Sequence, residues 1–209
     1  MNALPIVGLL SFLIGVVLAY QGADQLRNFG AEIFTVNLLG LAVLREMGII
    51  LTAIIVAGRS GSAFTAQIGT MQVNEEVDAL DAMGLKPVEF LVVPRIVALG
   101  LMSPLLALYA DAMGILGGLV VAVGMLDLSA AAYWTQMMQF LEADQFIKGL
   151  VKSFAFGILI AYSGCLRGMQ CGRSAQAVGE ATTSAVVTSI VAIVIADSII
   201  TVLIFELDL

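Results

Sequence analysis

The chain has 209 residues, of which 60% are apolar and 12% are charged, and its formal net charge is −7 at pH 7. A soluble domain holds roughly 45–50% apolar and about 25% charged residues, so a soluble enzyme of ordinary composition is excluded. The acidic balance excludes nucleic acid as a partner. The sequence also contains no histidine, which removes the usual general base and transition-metal ligand.

Long apolar stretches are the main feature of the sequence, because a membrane-spanning helix needs about 20 such residues. They predict an all-α integral membrane protein, a five-helix bundle forming one domain over 1–209. The predicted spans are about 3–20, 33–71, 91–123, 146–164 and 183–205. Small residues recur at regular spacing within them and favour close helix packing; they include Gly8, Gly15 and Gly22, then Ala110, Gly114 and Gly118, then Gly149, Ser153, Gly157 and Ala161. Pro104 is expected to kink the third span.

The second stretch carries charges within its apolar sequence. Its uncharged blocks are 33–44, 47–58 and 60–74. Each block is shorter than about 20 residues, so a spanning helix here holds at least one arginine at depth. Such a charge costs about 2.5–3.5 kcal/mol at the bilayer centre and usually faces a bundle interior or a wet cavity.

Two interpretations of these charges stay open. In one, Arg45, Glu46 and Arg59 line a polar cavity, and Asp111 and Asp197 are the candidate partners of the arginines. In the other, a tilted helix lets Arg45 and Arg59, about 21 Å apart along the axis, reach opposite interfaces. The residues after Arg59 are mostly small, so a helix or a lipid chain can approach closely.

The acidic sequence after this span predicts a short amphipathic helix at 75–84. Asn74 is the expected N-cap, Glu75 and Glu76 lie at the positive end of the helix, and Gly84 ends it. Its apolar face and its further acids are Val77, Leu80 and Met83, with Asp78 and Asp81. The helix is either a solvated connector or a docking surface for a cytoplasmic partner. The positive-inside rule favours placing the 72–90 and 165–180 connections inside, because that side would then hold four basic residues and the outer side three. The four are Lys86, Arg95, Arg167 and Arg173, and the three are Arg27, Lys148 and Lys152.

Residues 44–95 closely resemble the signature region of MlaE-type permeases, the YrbE-like membrane subunits of ABC transporters that work with MCE proteins. The motifs are Leu44-Arg45-Glu46, Ala57-Gly58-Arg59-x-Gly61-Ser62-Ala63 and Glu75-x-x-Asp78-Ala79-Leu80-x-x-Met83-Gly84. The likeness extends over nearly the whole chain and includes Asp197. The sequence departs from the family pattern in two places. Members generally carry an amphipathic interfacial helix, or in longer members a STAS domain, before the first span, and many have glutamate at the position of Gln67.

The resemblance implies a permease homodimer in the bacterial inner (cytoplasmic) membrane. It also implies cytoplasmic ABC ATPase subunits, a STAS-domain protein and an MCE-domain protein, which together move phospholipids or related membrane lipids between the inner membrane and the cell envelope. The chain has no G-x-x-x-x-G-K-[ST] phosphate loop, so it cannot bind and hydrolyse ATP through a Walker A motif. We expect a transport subunit that is not itself an enzyme and holds no cofactor, with ATP and Mg²⁺ in the partner ATPase.

The resemblance also assigns roles to residues. The lipid pathway or polar cavity would include Arg45, Glu46, Arg59, Gln67 and Asp197. Coupling to the ATPase would use Glu75, Glu76, Asp78, Leu80, Met83 and Gly84.

Two other classes of function are weighed against this one. An ion-coupled secondary transporter could relay protons or cations through Glu46, Asp111 and Asp197, although the sequence shows no clear inverted repeat. An intramembrane enzyme would lack both histidine and a Gly-x-Ser-x-Gly elbow, so it would need Asp111 and Asp197 to meet.

Overall fold

The computed structural model describes residues 3–27, 30–31, 33–141 and 143–206, and every element within these ranges is a helix. Five of the described helical segments are long and apolar enough to cross a membrane: Leu4–Arg27, Phe34–Val73, Val88–Met125, Asp144–Met169 and Ala175–Ile204. The chain is therefore a multi-pass membrane protein, and the five predicted spans are confirmed. The first helix is longer than the predicted span because it continues beyond the apolar residues through the more polar segment 21–27.

The helices in chain order are α1 (Ala3–Arg27), α2 (Phe34–Ala42), α3 (Gly48–Val56), α4 (Ser62–Val73), α5 (Glu76–Ala82), α6 (Val93–Met125), α7 (Ala130–Phe140), α8 (Ala143–Met169) and α9 (Ala175–Glu206). Three π-helical turns join or precede them: Val43–Met47 between α2 and α3, Ala57–Gly61 between α3 and α4, and Val88–Val92 before α6. The second span is thus one helical run from α2 to α4.

The described helices form two compact units. Unit 1 comprises Met1–Thr52 and Leu105–Val151, and unit 2 comprises Ala53–Pro104 and Lys152–Leu209. The chain passes from one unit to the other within α3, α6 and α8. The single domain expected over 1–209 stays a prediction, and it includes residues outside the described ranges.

Glycines bring α1 and α6 together in unit 1. A Cβ atom added at Gly15 would lie 2.0 Å from the carbonyl oxygen of Gly114, and one added at Gly117 would lie 2.1 Å from that of Phe12. The two backbones are therefore in contact, as small residues allow in lipid. The regularly spaced small residues around Gly15 and Gly114 are helix-packing faces.

The apolar core of unit 1 joins α1, α2, α6 and α7. Its buried members are Ala19, Val36, Leu39, Val43, Val121, Ala122, Tyr133 and Met137. The Tyr133 hydroxyl donates to the carbonyl oxygen of Ile115 over 2.8 Å, and burial raises the pKa of this phenol above its ordinary value. The sequence analysis did not predict α7, which starts after a side-chain cap: the Ser129 hydroxyl accepts from the Ala132 amide over 3.1 Å.

Small and hydroxyl-bearing residues close the helix contacts of unit 2. The Thr65 hydroxyl of α4 donates to the carbonyl oxygen of Gly164 in α8 over 2.8 Å. A Cβ atom added at Gly164 would lie 2.7 Å from the carbonyl oxygen of Gly61. The hydroxyls of Ser163 in α8 and Ser189 in α9 are hydrogen-bonded to each other. These contacts let α4, α8 and α9 approach closely without bulky side chains.

Two prolines shape α6. Pro94 is its second residue, and within a continuous α-helix its ring would clash with the carbonyl of Phe90, four residues earlier. The π turn Val88–Val92 contains Phe90 and ends just before α6. Pro104 lies inside the helix, which continues through it. Because Pro104 has no N–H, the carbonyl of Gly100 lacks its usual helical donor. The Ser103 hydroxyl lies 3.3 Å from that oxygen and 2.8 Å from the carbonyl oxygen of Ser153 in α8.

Candidate functional site

The charges of the second span lie in its π-helical turns. Arg45 and Glu46 belong to the turn Val43–Met47, and Arg59 belongs to the turn Ala57–Gly61. In the first turn the Gly48 amide bonds to the carbonyl oxygen of Val43, five residues earlier. A π turn keeps the backbone hydrogen-bonded, as lipid requires, and such turns are frequent at functional sites. The three side chains are half-buried.

Asp111 in α6 packs against the first π turn within unit 1. Its side chain is buried, and among the described residues its Oδ1 has no hydrogen-bond partner. A Cβ atom added at Gly48 would lie 2.1 Å from this oxygen, so the absence of a side chain at Gly48 gives the carboxyl its space. The predicted pairing of Asp111 with an arginine is therefore not found at this oxygen, and burying a polar atom without a hydrogen bond costs free energy.

Asp197 in α9 pairs with a lysine and not with an arginine, so the predicted partner was wrong. Lys152 Nζ in α8 lies 3.0 Å from Asp197 Oδ1 and donates to the Thr201 hydroxyl over 2.8 Å. The lysine side chain is 2% exposed and the aspartate side chain 18% exposed, so the pair is removed from solvent. Sequence reasoning missed Lys152, although a lysine inside a predicted span is a signal that an acidic partner lies nearby.

Gln67 contacts Arg95 at the edge of a groove in unit 2. Arg95 Nη2 donates to Gln67 Oε1 over 3.3 Å, its Nη1 donates to the carbonyl oxygen of Leu91 over 3.0 Å, and its guanidinium lies 5.8 Å from the ring centroid of Phe64. The groove has a volume of about 450 Å³ and is lined by Ala66, Gln67, Thr70, Met71 and Arg95. The sequence analysis assigned no role to Arg95.

The acidic segment folds as the short helix α5, with a different start from the one predicted. Asn74 does not cap it: Glu75 precedes the helix with a φ of 60°, and the Asn74 side chain donates to Glu76 over 3.3 Å. The predicted end at Gly84 is correct. Gly84 has a φ of 74°, and the next amide, that of Leu85, bonds back to the Leu80 carbonyl over 3.0 Å.

Arg173, in the connection between α8 and α9, forms surface ion pairs with Asp78 of α5 and with Glu75 just before it. Its Nη2 lies 2.6 Å from Asp78 Oδ2 and its Nη1 lies 3.8 Å from Glu75 Oε1. The two connections therefore meet at the same end of unit 2. Of the predicted coupling residues, Leu80 is half-buried and Met83 is 66% exposed, while Glu76 and Asp78 are exposed. No local sequence pattern indicates that Arg173 pairs with this helix.

Comparison with known proteins identifies close relatives along the whole chain. A family model described as Permease MlaE matches residues 1–203. A probable ABC transporter permease of Rickettsia prowazekii is 40% identical over 205 residues, which cover 98% of this chain and 79% of the relative. The intermembrane phospholipid transport system permease protein MlaE of Haemophilus influenzae is 31% identical, covering 98% and 78%. The chloroplast protein TRIGALACTOSYLDIACYLGLYCEROL 1 of Arabidopsis thaliana is 33% identical, covering 98% and 59%. The resemblance indicated by residues 44–95 is confirmed, and the ion-coupled alternative is not favoured.

Proposed function

Because this chain belongs to the MlaE permease family and is the permease subunit of an ABC transporter, we propose that it moves phospholipids between the bacterial inner membrane and the cell envelope. The name of the Haemophilus influenzae relative, an intermembrane phospholipid transport permease, supports this substrate. A phospholipid has two apolar chains and a charged headgroup. A pathway for it should therefore combine apolar walls with a few charged groups.

The observation that carries the proposal is the position of charges in the second span. Arg45, Glu46 and Arg59 are half-buried in π turns of a helical run that is otherwise uncharged. Charges at this depth usually face a protein interior or a wet cavity. We assign them, with Gln67 beside its groove, to the polar part of the lipid pathway. Asp197 belongs there as well, or it locks α8 to α9 through Lys152.

We infer that a separate cytoplasmic ATPase binds at α5. The chain has no phosphate-binding loop of its own. Glu76 at the start of the helix is exposed, and so are the apolar side chains of Met83 and Leu85, which follow its end. Arg173 forms an ion pair between the α8–α9 connection and α5. A displacement of α5 on ATP binding by the partner would therefore be transmitted to α8 and α9.

The remaining partners also belong to this proposal. Much of the apolar surface of α9 is exposed, including Val191, Val194 and Ile195. Exposed apolar surface on a span suits either lipid or another helix, and we assign part of it to a second copy of the permease. An MCE-domain protein outside the membrane and a STAS-domain protein at the ATPase complete the proposed transporter.

Replacing Glu76 and Asp78 with lysine tests the docking role. We expect the variant to lose co-purification of the ATPase and lipid movement in proteoliposomes, because the charge of the docking surface is reversed. Permease abundance in the membrane should stay unchanged. Glu206→Lys, an exposed charge reversal at the end of α9, is the control and should keep both activities. A complex that survives the double substitution intact would remove the docking role.

A charge exchange separates docking from anchoring. Asp78→Arg combined with Arg173→Asp restores the ion pair with α5 but leaves a changed surface. If the exchange recovers ATPase binding that Asp78→Arg alone has lost, the acid acts by holding α5 in place. If binding stays lost, the acid itself contacts the ATPase.

A further inference from the structure

A second cavity in unit 2 lies at the C-terminal end of α8 and the N-terminal end of α9. It has a volume of about 670 Å³, and we call it the Arg167 cavity. Its lining residues other than Arg167 recur along one face of α9: Gly179, Glu180, Thr183, Ser184, Val187 and Thr188. None of them is among the residues assigned above to the lipid pathway or to the docking surface.

The guanidinium of Arg167 is oriented but has donors to spare. Its Nη2 donates to the Thr188 hydroxyl over 3.1 Å, and that hydroxyl donates to the Ser184 carbonyl over 2.7 Å. Its Nε is buried and has no hydrogen-bond partner among the described residues. A guanidinium offers five N–H donors in a fork that matches the oxygens of a phosphate. The cavity therefore offers an anion a fixed positive group.

The same cavity also contains a negative group. Glu180 is exposed, and its Oε1 accepts a hydrogen bond from Gln176 over 3.1 Å. In the described part of unit 2, no ion pair joins Glu180 to Arg167. Opposite charges held apart in one cavity are complementary to a ligand that carries both charges.

The cavity runs from the helix end into the apolar part of the span. At about 1.5 Å per residue from Ala175, Glu180 lies about 8 Å and Thr188 about 20 Å along α9. Val187, which also lines the cavity, is 58% exposed. A ligand there would meet charged groups and hydroxyls together with apolar surface, as the headgroup end of a lipid does.

We propose that the Arg167 cavity binds the headgroup of a zwitterionic glycerophospholipid. Its phosphate is held by Arg167 with the neighbouring hydroxyls, and its ammonium is held by Glu180. The proposal rests on the proposed function in that it names the headgroup class of the transported lipid. The binding itself needs neither the ATPase nor transport.

The test measures lipid binding to the purified full-length chain in detergent. The probes are phosphatidylethanolamine and phosphatidylglycerol, each with a fluorescent label on an acyl chain. Loss of a charge-assisted hydrogen bond should make Arg167→Gln bind both lipids about tenfold or more weakly. Glu180→Gln should weaken binding of phosphatidylethanolamine alone. Arg167→Lys keeps the charge without the fork and should bind with intermediate affinity, which covers the case in which Arg167→Gln does not fold.

Arg27→Gln, an exposed arginine outside the cavity, is the matched control and should bind like the original chain. Unchanged binding by both Arg167 variants would overturn the site. Equal binding of the two lipids, or no effect of Glu180→Gln, would overturn the zwitterionic specificity. If phosphoethanolamine without acyl chains binds as tightly as the lipid, the ligand is a soluble phosphate compound and the lipid proposal fails.

The outcome is separable from that of the proposed function. If the assembled transporter moves no lipid but Arg167-dependent binding persists, the transport proposal fails and the cavity stands. If lipid moves and both Arg167 variants bind and transport like the original chain, the cavity proposal fails and the transport proposal stands.

Discussion

The ion pair between Lys152 and Asp197 gives the sharpest test of how charges stabilise the bundle. Lys152→Met keeps a long side chain of similar shape and leaves the carboxylate of Asp197 without its partner. The lysine is 2% exposed and the aspartate 18% exposed, so the pair belongs to the buried class. Removing one member of such a pair costs about 3–5 kcal/mol, because the other charge stays buried. We expect a loss of about 3 kcal/mol, at the low end because Asp197 is partly exposed.

The double variant Lys152→Met with Asp197→Leu removes both charges. Replacing a whole buried pair by apolar side chains is often neutral or stabilising, so most of the lost stability should return. The assay is the free energy of unfolding of the full chain in bicelles, with both single variants for a double-mutant cycle. The reasoning is refuted if Lys152→Met stays within about 0.5 kcal/mol of the original chain, as ordinary surface substitutions do. It is also refuted if the double variant is no more stable than the single one.

The same variants distinguish two roles of Asp197. If the double variant is stable and its complex still moves lipid, the pair only fastens α8 to α9. If the variant is stable but transport is lost, the charged pair takes part in lipid transport.

Two further substitutions follow from contacts between helices. Gly15→Ala should lower the free energy of unfolding by about 1–3 kcal/mol, because its Cβ would lie 2.0 Å from the backbone oxygen of Gly114. Gly124→Ala is the control, because no atom lies within 4 Å of the added carbon. Its free energy of unfolding should rise by up to about 1 kcal/mol, since alanine has the higher helix propensity. Equal losses in the two variants, measured by thermal unfolding, would contradict this account. Gln67→Glu should gain about 0.2–1 kcal/mol from an ion pair with Arg95, whose Nη2 already lies 3.3 Å from the side-chain oxygen; raising the salt concentration should reduce the gain, and a gain that is insensitive to salt would rule out the ion pair.

Hydropathy and short sequence patterns predicted the features that depend on residues adjacent in sequence, namely the membrane spans and the end of α5. Each span could be located because lipid demands about 20 apolar residues in a row. The end of α5 could be predicted because Gly84 adopts a positive φ that other residues rarely take. Close helix packing at Gly15 and Gly114 could be predicted because glycine lacks a side chain and lets two helix backbones approach.

Partners distant in sequence could not be predicted in this way. Lys152 meets Asp197, and Arg173 meets Asp78, because particular helix faces turn toward each other. That orientation depends on how the helices pack and not on the residues beside each charge. The π turns were missed for a related reason: the sequence showed that Arg45 lies within an apolar run but not how the backbone accommodates it.

The two π turns of the second span also determine the direction in which the side chains after them point around the helix axis. Each adds one residue relative to the ordinary helical repeat, which rotates the following side chains by about 100° around the axis. The turn at Ala57–Gly61 therefore determines which side of the helix Thr65 occupies and hence its bond to Gly164. Deleting one residue from this turn would rotate the side chains of α4 away from the helices that they contact. The length of the segment is therefore constrained as tightly as its composition.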